Sequence, residues 1–426
     1  MNIKHRIETE NQINFLYGSK RTALLIVLLT VSLVSQIDRV LPFILVESIK
    51  EDLNLSDTQI GLITGIAFTV CYALAALPLA RISDNGKARK VLVFCIIFWS
   101  IMTGFGGFAI GFITLVISRV GVALGEAGGT PASHALIVQR IPENFRGRSI
   151  AIFSLGIPLG TMIGFALGGW ANDSIGWRNT LFGAAMLGIL VIVLVLVFIK
   201  NDHGINNAKK NKENFIKSCR ELFSKPSFKW LFLAAILMGL SSAPFYIFTS
   251  PYLIRTFKLT SSEVGLIFGL LQGFMGIVGT LLGGRKFDKI VNNSKKGLMN
   301  PPARIFIIAS VTTSFALFAT NSWLSIILFI PGMFSFAFMM PFAFGTGHLI
   351  AGPKKQAFSI SILMIGSGLI GATISPFLVG LISDFITELK IENGLRYGLL
   401  LVPFFSFCLG LMGFLVSEKL NKYLKN

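Results

Sequence analysis
The chain repeats one feature from end to end: apolar runs of about 20 residues separated by short polar stretches. A continuous run of that length crosses a bilayer as a helix, because each residue advances about 1.5 Å and the hydrocarbon layer is about 30 Å thick. The runs do not alternate apolar with polar and are too long for barrel strands, so a β-barrel is excluded. Only 14% of the residues are charged, against about 25% in a soluble domain. The expected fold class is an all-α polytopic membrane protein.

Twelve runs are read at roughly 22–46, 57–81, 90–110, 112–138, 148–169, 178–199, 228–254, 262–284, 303–320, 323–350, 356–382 and 395–416, with ends good to about 2–4 residues. They divide the chain into an N-terminal tail (1–20), a six-helix half (21–200), a central loop (201–227), a second six-helix half (228–417) and a short tail (418–426). The polar first 20 residues, with no small-residue cleavage site after run 1, mark that run as a retained helix.

The net charge of +18 does not signal a nucleic-acid partner, because the bases sit in particular connections. Lys87, Arg89 and Lys90 follow run 2, and Arg140, Arg146 and Arg148 follow run 4. The central loop carries Lys209, Lys210, Lys212, Lys217, Arg220 and Lys225. Arg285, Lys286, Lys289, Lys295 and Lys296 follow run 8, and Lys354 and Lys355 follow run 10. The connection after run 1 is acidic instead, with Glu47, Glu51, Asp52 and Asp57. Lys and Arg stay on the cytoplasmic side, so both termini are expected there. Cys71, Cys95, Cys219 and Cys408 are scattered, which supports neither a disulfide framework nor a metal site.

A small residue four positions before an Asp closes runs 2, 5, 8 and 11: Ala80 to Asp84, Gly169 to Asp173, Gly284 to Asp288 and Gly380 to Asp384. The recurrence every third run fits two halves, each made of two inverted three-helix units.

Two stretches break the apolar pattern: Gln36-Ile37-Asp38-Arg39 in run 1, and Arg119 to Glu126 in run 4. Charges inside a membrane bundle are costly, paired and by default functional. At about 1.5 Å per residue, Asp38, Arg39 and Arg119 share one level, and Glu126 lies roughly 10 Å deeper on the Arg119 face. One reading is structural: Asp38 pairs with Arg119 or Arg39 and holds run 1 to run 4. The other is a proton site. Glu126, expected without a close partner of its own, is the candidate proton carrier. Asp38 is the second site, Arg119 the charge that senses their state, and Arg39 an alternative anchor for an anionic head group. His134 is a candidate relay or a packing residue, and Arg255, ending run 7, is read as snorkelling to water.

The second half offers few charges. Run 7 has Tyr246 and Thr249, and run 10 carries Phe338 and Phe342 among alternating aromatics. With Gln36, these are the candidate lining of a substrate cavity charged on one wall and aromatic on the other, suited to an amphiphile. Run 5 carries Gly156, Gly160, Gly164 and Gly168, a spacing that lets helices approach closely. No Walker-type phosphate loop and no nucleophile–base set occurs, so neither an ATP-driven pump nor an enzyme is read from this chain.

The whole chain resembles the major facilitator superfamily. Asp84-Asn85-Gly86-Lys87-Ala88-Arg89-Lys90 sits where that superfamily has its acidic-then-basic loop, and Phe145-Arg146-Gly147-Arg148 and Gly176-Trp177-Arg178-Asn179 look like its signatures. The N-terminal half is most similar to the spinster-like family, through Asp38-Arg39, Leu53 to Gly61, Gly125-Glu126-Ala127 and Pro131-Ala132. Ala80, Asn85 and Ala123 depart from the usual pattern, which weakens the expected gate and loosens run 4. The resemblance implies a twelve-helix, two-half carrier working by alternating access, with runs 1, 4, 7 and 10 around the cavity. It also implies a cytoplasmic gate at Asp84, Arg89, Lys90, Arg148 and Asp288. Animal relatives move lysolipids or sphingolipid phosphates.

The expected function is a proton-coupled carrier of a lipid-like (lysophospholipid or sphingolipid-like) or organic anionic solute, in the inner membrane. It would need no cofactor beyond the proton gradient. Its partners would be substrate, protons and membrane lipids, and it would act as a monomer. Other readings are a sugar-acid symporter, a drug or siderophore exporter, and a transport-dead sensor or scaffold.

Overall fold
A computed structural model describes residues 16–200, 215–293, 296–352 and 355–423. Most of the N-terminal tail, the central-loop bases Lys209, Lys210 and Lys212, and Lys295 and Lys354 lie outside these residues.

The described residues are helical almost throughout, and nine helical stretches are long and apolar enough to cross a membrane. Two of these contain breaks. At Asn85–Gly86 and at Gly176 the backbone leaves helical geometry, with Gly86 at φ +80 and Gly176 at φ +82. Glycine enters that left-handed region without the Cβ clash other residues meet. A shorter apolar helix, Asn300–Leu317, adds to the set. The helices are α1 (Gly18–Leu53), α2 (residues 57–82), α3 (Ala88–Gly107), α4 (Phe112–Arg140), α5 (residues 143–175) and α6 (residues 177–198). The second set is α7 (Pro226–Phe257), α8 (Ser261–Asn293), α9 (Asn300–Leu317), α10 (Ser322–Ala351), α11 (residues 356–388) and α12 (Leu401–Tyr423). Leu77, Phe94, Ile189 and Phe315 are more than half exposed, an apolar surface that water does not favour and lipid covers.

Glycines set the packing. Along α5, a Cβ added at Gly156, Gly160, Gly164 or Gly168 would come within 2.5–2.6 Å of Ser32, Leu33, Val40 or Leu41 of α1. The glycine ladder therefore lets α1 and α5 run side by side in the same direction. α2 runs parallel to α4, with Leu79 beside Gly128 and Ser83 held by Gln139, and α3 runs antiparallel to α6, with Gly188 on Ser100 and Gly104 on Ala185. The second set repeats the arrangement. Gly366 and Gly371 of α11 meet Phe232 and Ile236 of α7, Gly279 and Gly283 of α8 meet Phe334 and Phe338 of α10, and Gly410 and Gly413 of α12 meet Ile307 and Ala303 of α9. Parallel, parallel and antiparallel pairs thus recur in the same order in both halves.

The halves meet through two antiparallel helix pairs. In one, the start of α2 lies on α11: a Cβ at Gly61 would sit 2.3 Å from the Pro376 carbonyl oxygen, and one at Gly380 would sit 2.3 Å from that of Asp57. In the other, the start of α8 lies on α5: a Cβ at Gly169 would sit 2.1 Å from the Ser261 carbonyl oxygen, and one at Gly265 would sit 2.2 Å from that of Phe165. Both pairs join at the same end of the bundle, opposite the end that carries the basic connections.

Candidate functional site
The four charged residues of α1 and α4 come together as a cluster in which Asp38, Arg119 and Glu126 are buried and Arg39 is partly exposed, in a different pairing from the one their levels suggest. Arg39 donates from Nε and Nη2 to Oε2 of Glu126, at 2.9 and 2.7 Å. Glu126 is 1% exposed, and its second oxygen has no hydrogen-bond partner among the described residues. Asp38, equally buried, accepts from the Thr103 hydroxyl of α3 at 2.6–2.8 Å. The expectation that Glu126 lacks a partner of its own is therefore corrected. Side chains tilt toward the N-terminus of their helix. α1 starts at the basic end, so Arg39 reaches down toward Glu126. α4 starts at the opposite end, so Glu126 reaches up to meet it, and Arg119 tilts toward the closed end.

Arg119 is 6% exposed and makes no hydrogen bond to another described residue. Its guanidinium carbon stands 5.4 Å from the Phe68 ring centroid. It borders a cavity of about 20 Å³ shared with Thr103 and Ser118, room for a single water to take up its donors. Arg39 lies over the same Phe68 and over Tyr72, at 5.6 and 5.0 Å. Phe68 follows a π-helical segment, Leu62–Ala67, a distortion common at functional sites. Phe68, Tyr72 and Thr103 were not singled out from sequence. On apolar helices they read as packing, and only the fold turns their rings and hydroxyl onto the charges.

The other sequence candidates divide. Gln36 donates to Thr161 of α5 and ties α1 to α5. Tyr246 is partly exposed, with its ring against Phe245 and Phe336. Thr249 is fully buried and its hydroxyl donates to the Phe245 carbonyl of its own helix, so it lines no cavity. Phe338 and Phe342 are also buried, stacked on each other at 5.3 Å against α8, where Phe342 meets Phe287. Aromatics two residues apart point to different sides of a helix, and this i,i+4 pair shares the side that faces α8. The aromatic cavity wall is corrected accordingly. His134 packs edge-on against Phe153 at 5.3 Å and has no hydrogen bond among the described residues.

The end opposite the basic connections is held by charges. Asp57, at the start of α2, is 2% exposed and accepts four hydrogen bonds. Two come from Arg255 of α7 at 2.6 and 2.7 Å, one from Ser383 of α11 at 2.6 Å and one from Lys50 at 2.7 Å. Arg255 also donates to Glu47 of α1 at 2.6 Å. The reading of Arg255 as a snorkelling residue is corrected: its head is clasped across the two halves. The acidic connection after run 1 was visible in the sequence, but not the partner that crosses to it.

At the same end, Asp384 accepts from the backbone N–H groups of Asp57 and Thr58, and Asp173 accepts from that of Ser262. Each Asp thus caps the first turn of a helix in the opposite half, satisfying N–H groups that have no partner within the helix. Asn172 adds bonds to Ser48 and Ser261. At the basic end the matching residues are disengaged. Asp84 and Asp288 make no hydrogen bond or ion pair among the described residues, and a Cβ at Gly284 would meet nothing within 4 Å. Arg89 donates to the Leu196 carbonyl of its own half, and Arg148 lines a groove beside α1.

Two six-helix sets of like pairing, joined at one end and with a charged cluster inside the first, define a multi-pass membrane carrier. The chain belongs to the Major Facilitator Superfamily, whose family model matches residues 25–376. It is 28% identical over 376 residues to an MFS-type efflux pump of Mycolicibacterium smegmatis, covering 85% of this chain and 84% of the pump. It is 26% identical over 408 residues to a sphingosine-1-phosphate transporter of Danio rerio, covering 87% of this chain and 78% of that one. A crystal structure of a bacterial homolog of the human lysosomal transporter Spinster, in an inward-facing, unoccupied conformation, superposes with a TM-score of 0.84 at 24% identity, covering 96% of this chain and 99% of the other. Within the superfamily the likeness is to spinster-like carriers, and the protein is a non-enzymatic transporter of a small molecule.

Proposed function
We propose that the chain is a proton-coupled, alternating-access carrier of an amphiphilic organic anion, and the observation that carries this reading is the charge balance of the cluster on α1 and α4. Fully ionised, Asp38 and Glu126 offset Arg39 and Arg119. Each proton taken up leaves one positive charge uncompensated in a medium where bare charge is costly. An anionic head group restores the balance, so proton and anion bind together. Glu126 is the proton carrier in this reading, and Asp38, which accepts from the Thr103 hydroxyl, is the second site. Protonation of Glu126 then frees Arg39 to hold the head group, beside the rings of Phe68 and Tyr72. Lysophospholipids and sphingolipid-like molecules fit this chemistry, and the sphingosine-1-phosphate transporter among the relatives supports the class. The Lys and Arg distribution supports a basic end in the cytoplasm; in a cell inner membrane the closed end would then face outward and the described conformation would be open inward.

The test is transport of a labelled lysophospholipid by purified protein in liposomes with an imposed pH gradient. Wild type moves it with the gradient. Glu126→Gln loses gradient-driven accumulation by at least about tenfold, the scale of one buried charge contact, and keeps part of its exchange. Normal accumulation by Glu126→Gln removes the proton assignment. No movement by wild type removes the lysolipid. The efflux pump among the relatives favours a second reading, export of a drug or siderophore. Movement of such a solute against the proton flow in the same liposomes would select it.

A further inference from the structure
A second polar feature lies outside the carrier cluster, on the flank of the N-terminal half. α1 and the first turns of α5 border a groove of about 290 Å³ at the basic end, several times the volume of one water. Arg21 and Arg148 stand at its rim, and Leu25, Ile26, Leu29 and Ile152 form its lower wall. Arg21 lies over the Phe145 ring at 4.1 Å. That contact fixes the guanidinium through its face and leaves its in-plane N–H donors free. Arg148 is exposed and has no hydrogen bond or ion pair among the described residues. Among the described residues, no carboxylate lines the groove. Arg146, two residues before Arg148, is occupied elsewhere, donating to the Ile141 carbonyl, and the Ser149 hydroxyl donates to the Phe145 carbonyl. Ile26 is more than half exposed, so the apolar wall opens toward the bilayer.

We propose that this groove binds an anionic phospholipid, with its phosphodiester between Arg21 and Arg148 and an acyl chain along Leu25, Ile26, Leu29 and Ile152. Two guanidiniums from different helices can each offer paired N–H donors to one phosphate, the geometry for which arginine is suited. A water-filled groove would leave four apolar side chains wet at the level where the bilayer begins. A soluble anion would satisfy the rim but not that wall. Basic pockets between membrane helices are a known setting for lipid head groups. Bound there, the lipid bridges α1, which carries Asp38 and Arg39, to α5, one of the helices on which the halves meet.

The test uses the full chain in phosphatidylcholine nanodiscs doped with a photoactivatable phosphatidylglycerol, with crosslinked peptides mapped by mass spectrometry. The expected result is labelling of the peptides spanning 21–29 and 145–152. The double variant Arg21→Gln/Arg148→Gln should reduce it by about thirtyfold, from about 1 kcal/mol at each of two basic residues at the surface. Arg21→Lys/Arg148→Lys should restore most of it. Unchanged elution on size exclusion separates loss of site from loss of fold. A photoactivatable phosphatidylcholine should label these peptides weakly, and excess glycerol 3-phosphate should not compete. Equal labelling by both lipids, or labelling indifferent to the glutamine pair, would overturn the proposal. Full competition by glycerol 3-phosphate would do the same, by making the site one for a soluble phosphate.

Discussion

The two ends of the molecule carry the same sequence device in opposite states. At the closed end, Gly169 and Gly380 let the start of a helix from the other half abut, and Asp173 and Asp384, four residues on, cap that helix. At the basic end, Ala80 and Gly284 precede Asp84 and Asp288 by the same spacing, and both Asp side chains are disengaged. The difference teaches that the repeated small-residue-to-Asp pattern is a docking element. It closes one end in this conformation, and in the proposed alternating-access cycle the pair at rest would serve the other. Charge separates the ends as well: the closed end adds the Arg255 clasp on Asp57 and Glu47, for which the described residues of the basic end show no counterpart.

The comparison breaks most sharply at Arg255. Arg255→Met leaves Asp57 buried with Lys50 as its remaining cation, and removing one partner of a buried pair costs about 3–5 kcal/mol. The conformational balance should move away from the closed end by about a hundredfold or more, read as faster thiol labelling of a cysteine placed at Ser262 in this background. Unchanged labelling would mean that the clasp does not hold the halves together.

A sharper test reverses the two ends. Gly380→Leu meets the Asp57 backbone and should open the closed end, at a cost of about 1–3 kcal/mol for overpacking. Gly284→Leu meets open space here and should leave this conformation intact. If the basic end closes by the same docking, Gly284→Leu blocks that closure. Transport should then fall at least tenfold while melting temperature and detergent stability stay at wild-type values. Wild-type transport by Gly284→Leu would show that the basic end closes differently.

The smallest effect is expected at the caps. Asp384→Asn keeps the shape and removes the charge at two helix N–H groups, worth about 0.5–1 kcal/mol. It should raise labelling at the closed end by severalfold. Asp84→Asn, disengaged in this conformation, should not change labelling there.

Much of the fold could be read from hydropathy, because the requirement to satisfy backbone groups in lipid makes long helices the only economical solution. The small-residue-to-Asp spacing was legible as a repeat. Its role was not, since the capped amides belong to residues more than 80 positions away, as with Asp173 and Ser262, or more than 300, as with Asp384 and Asp57. The identities of Asp38, Arg39, Arg119 and Glu126 stood out because charge is rare in these runs. Their pairing did not, because levels computed from Cα positions omit the tilt and length of Arg39. The aromatic wall failed for a related reason: composition says that Phe338 and Phe342 are apolar, but only packing decides that α8 covers them.

The caps at the closed end also set how firmly that end shuts. Asp384 bonds to amide groups that water would bond to equally well once the halves part, so its net contribution is about the 0.5–1.5 kcal/mol typical of exchanged hydrogen bonds. In the proposed cycle, a seal made partly of such exchanges would keep the conformations within reach of one another, so that a bound solute or proton could tip them. The carboxylate that completes a helix in the opposite half would then work as a reversible fastener, strong enough to give the closed end a defined shape and weak enough to be released.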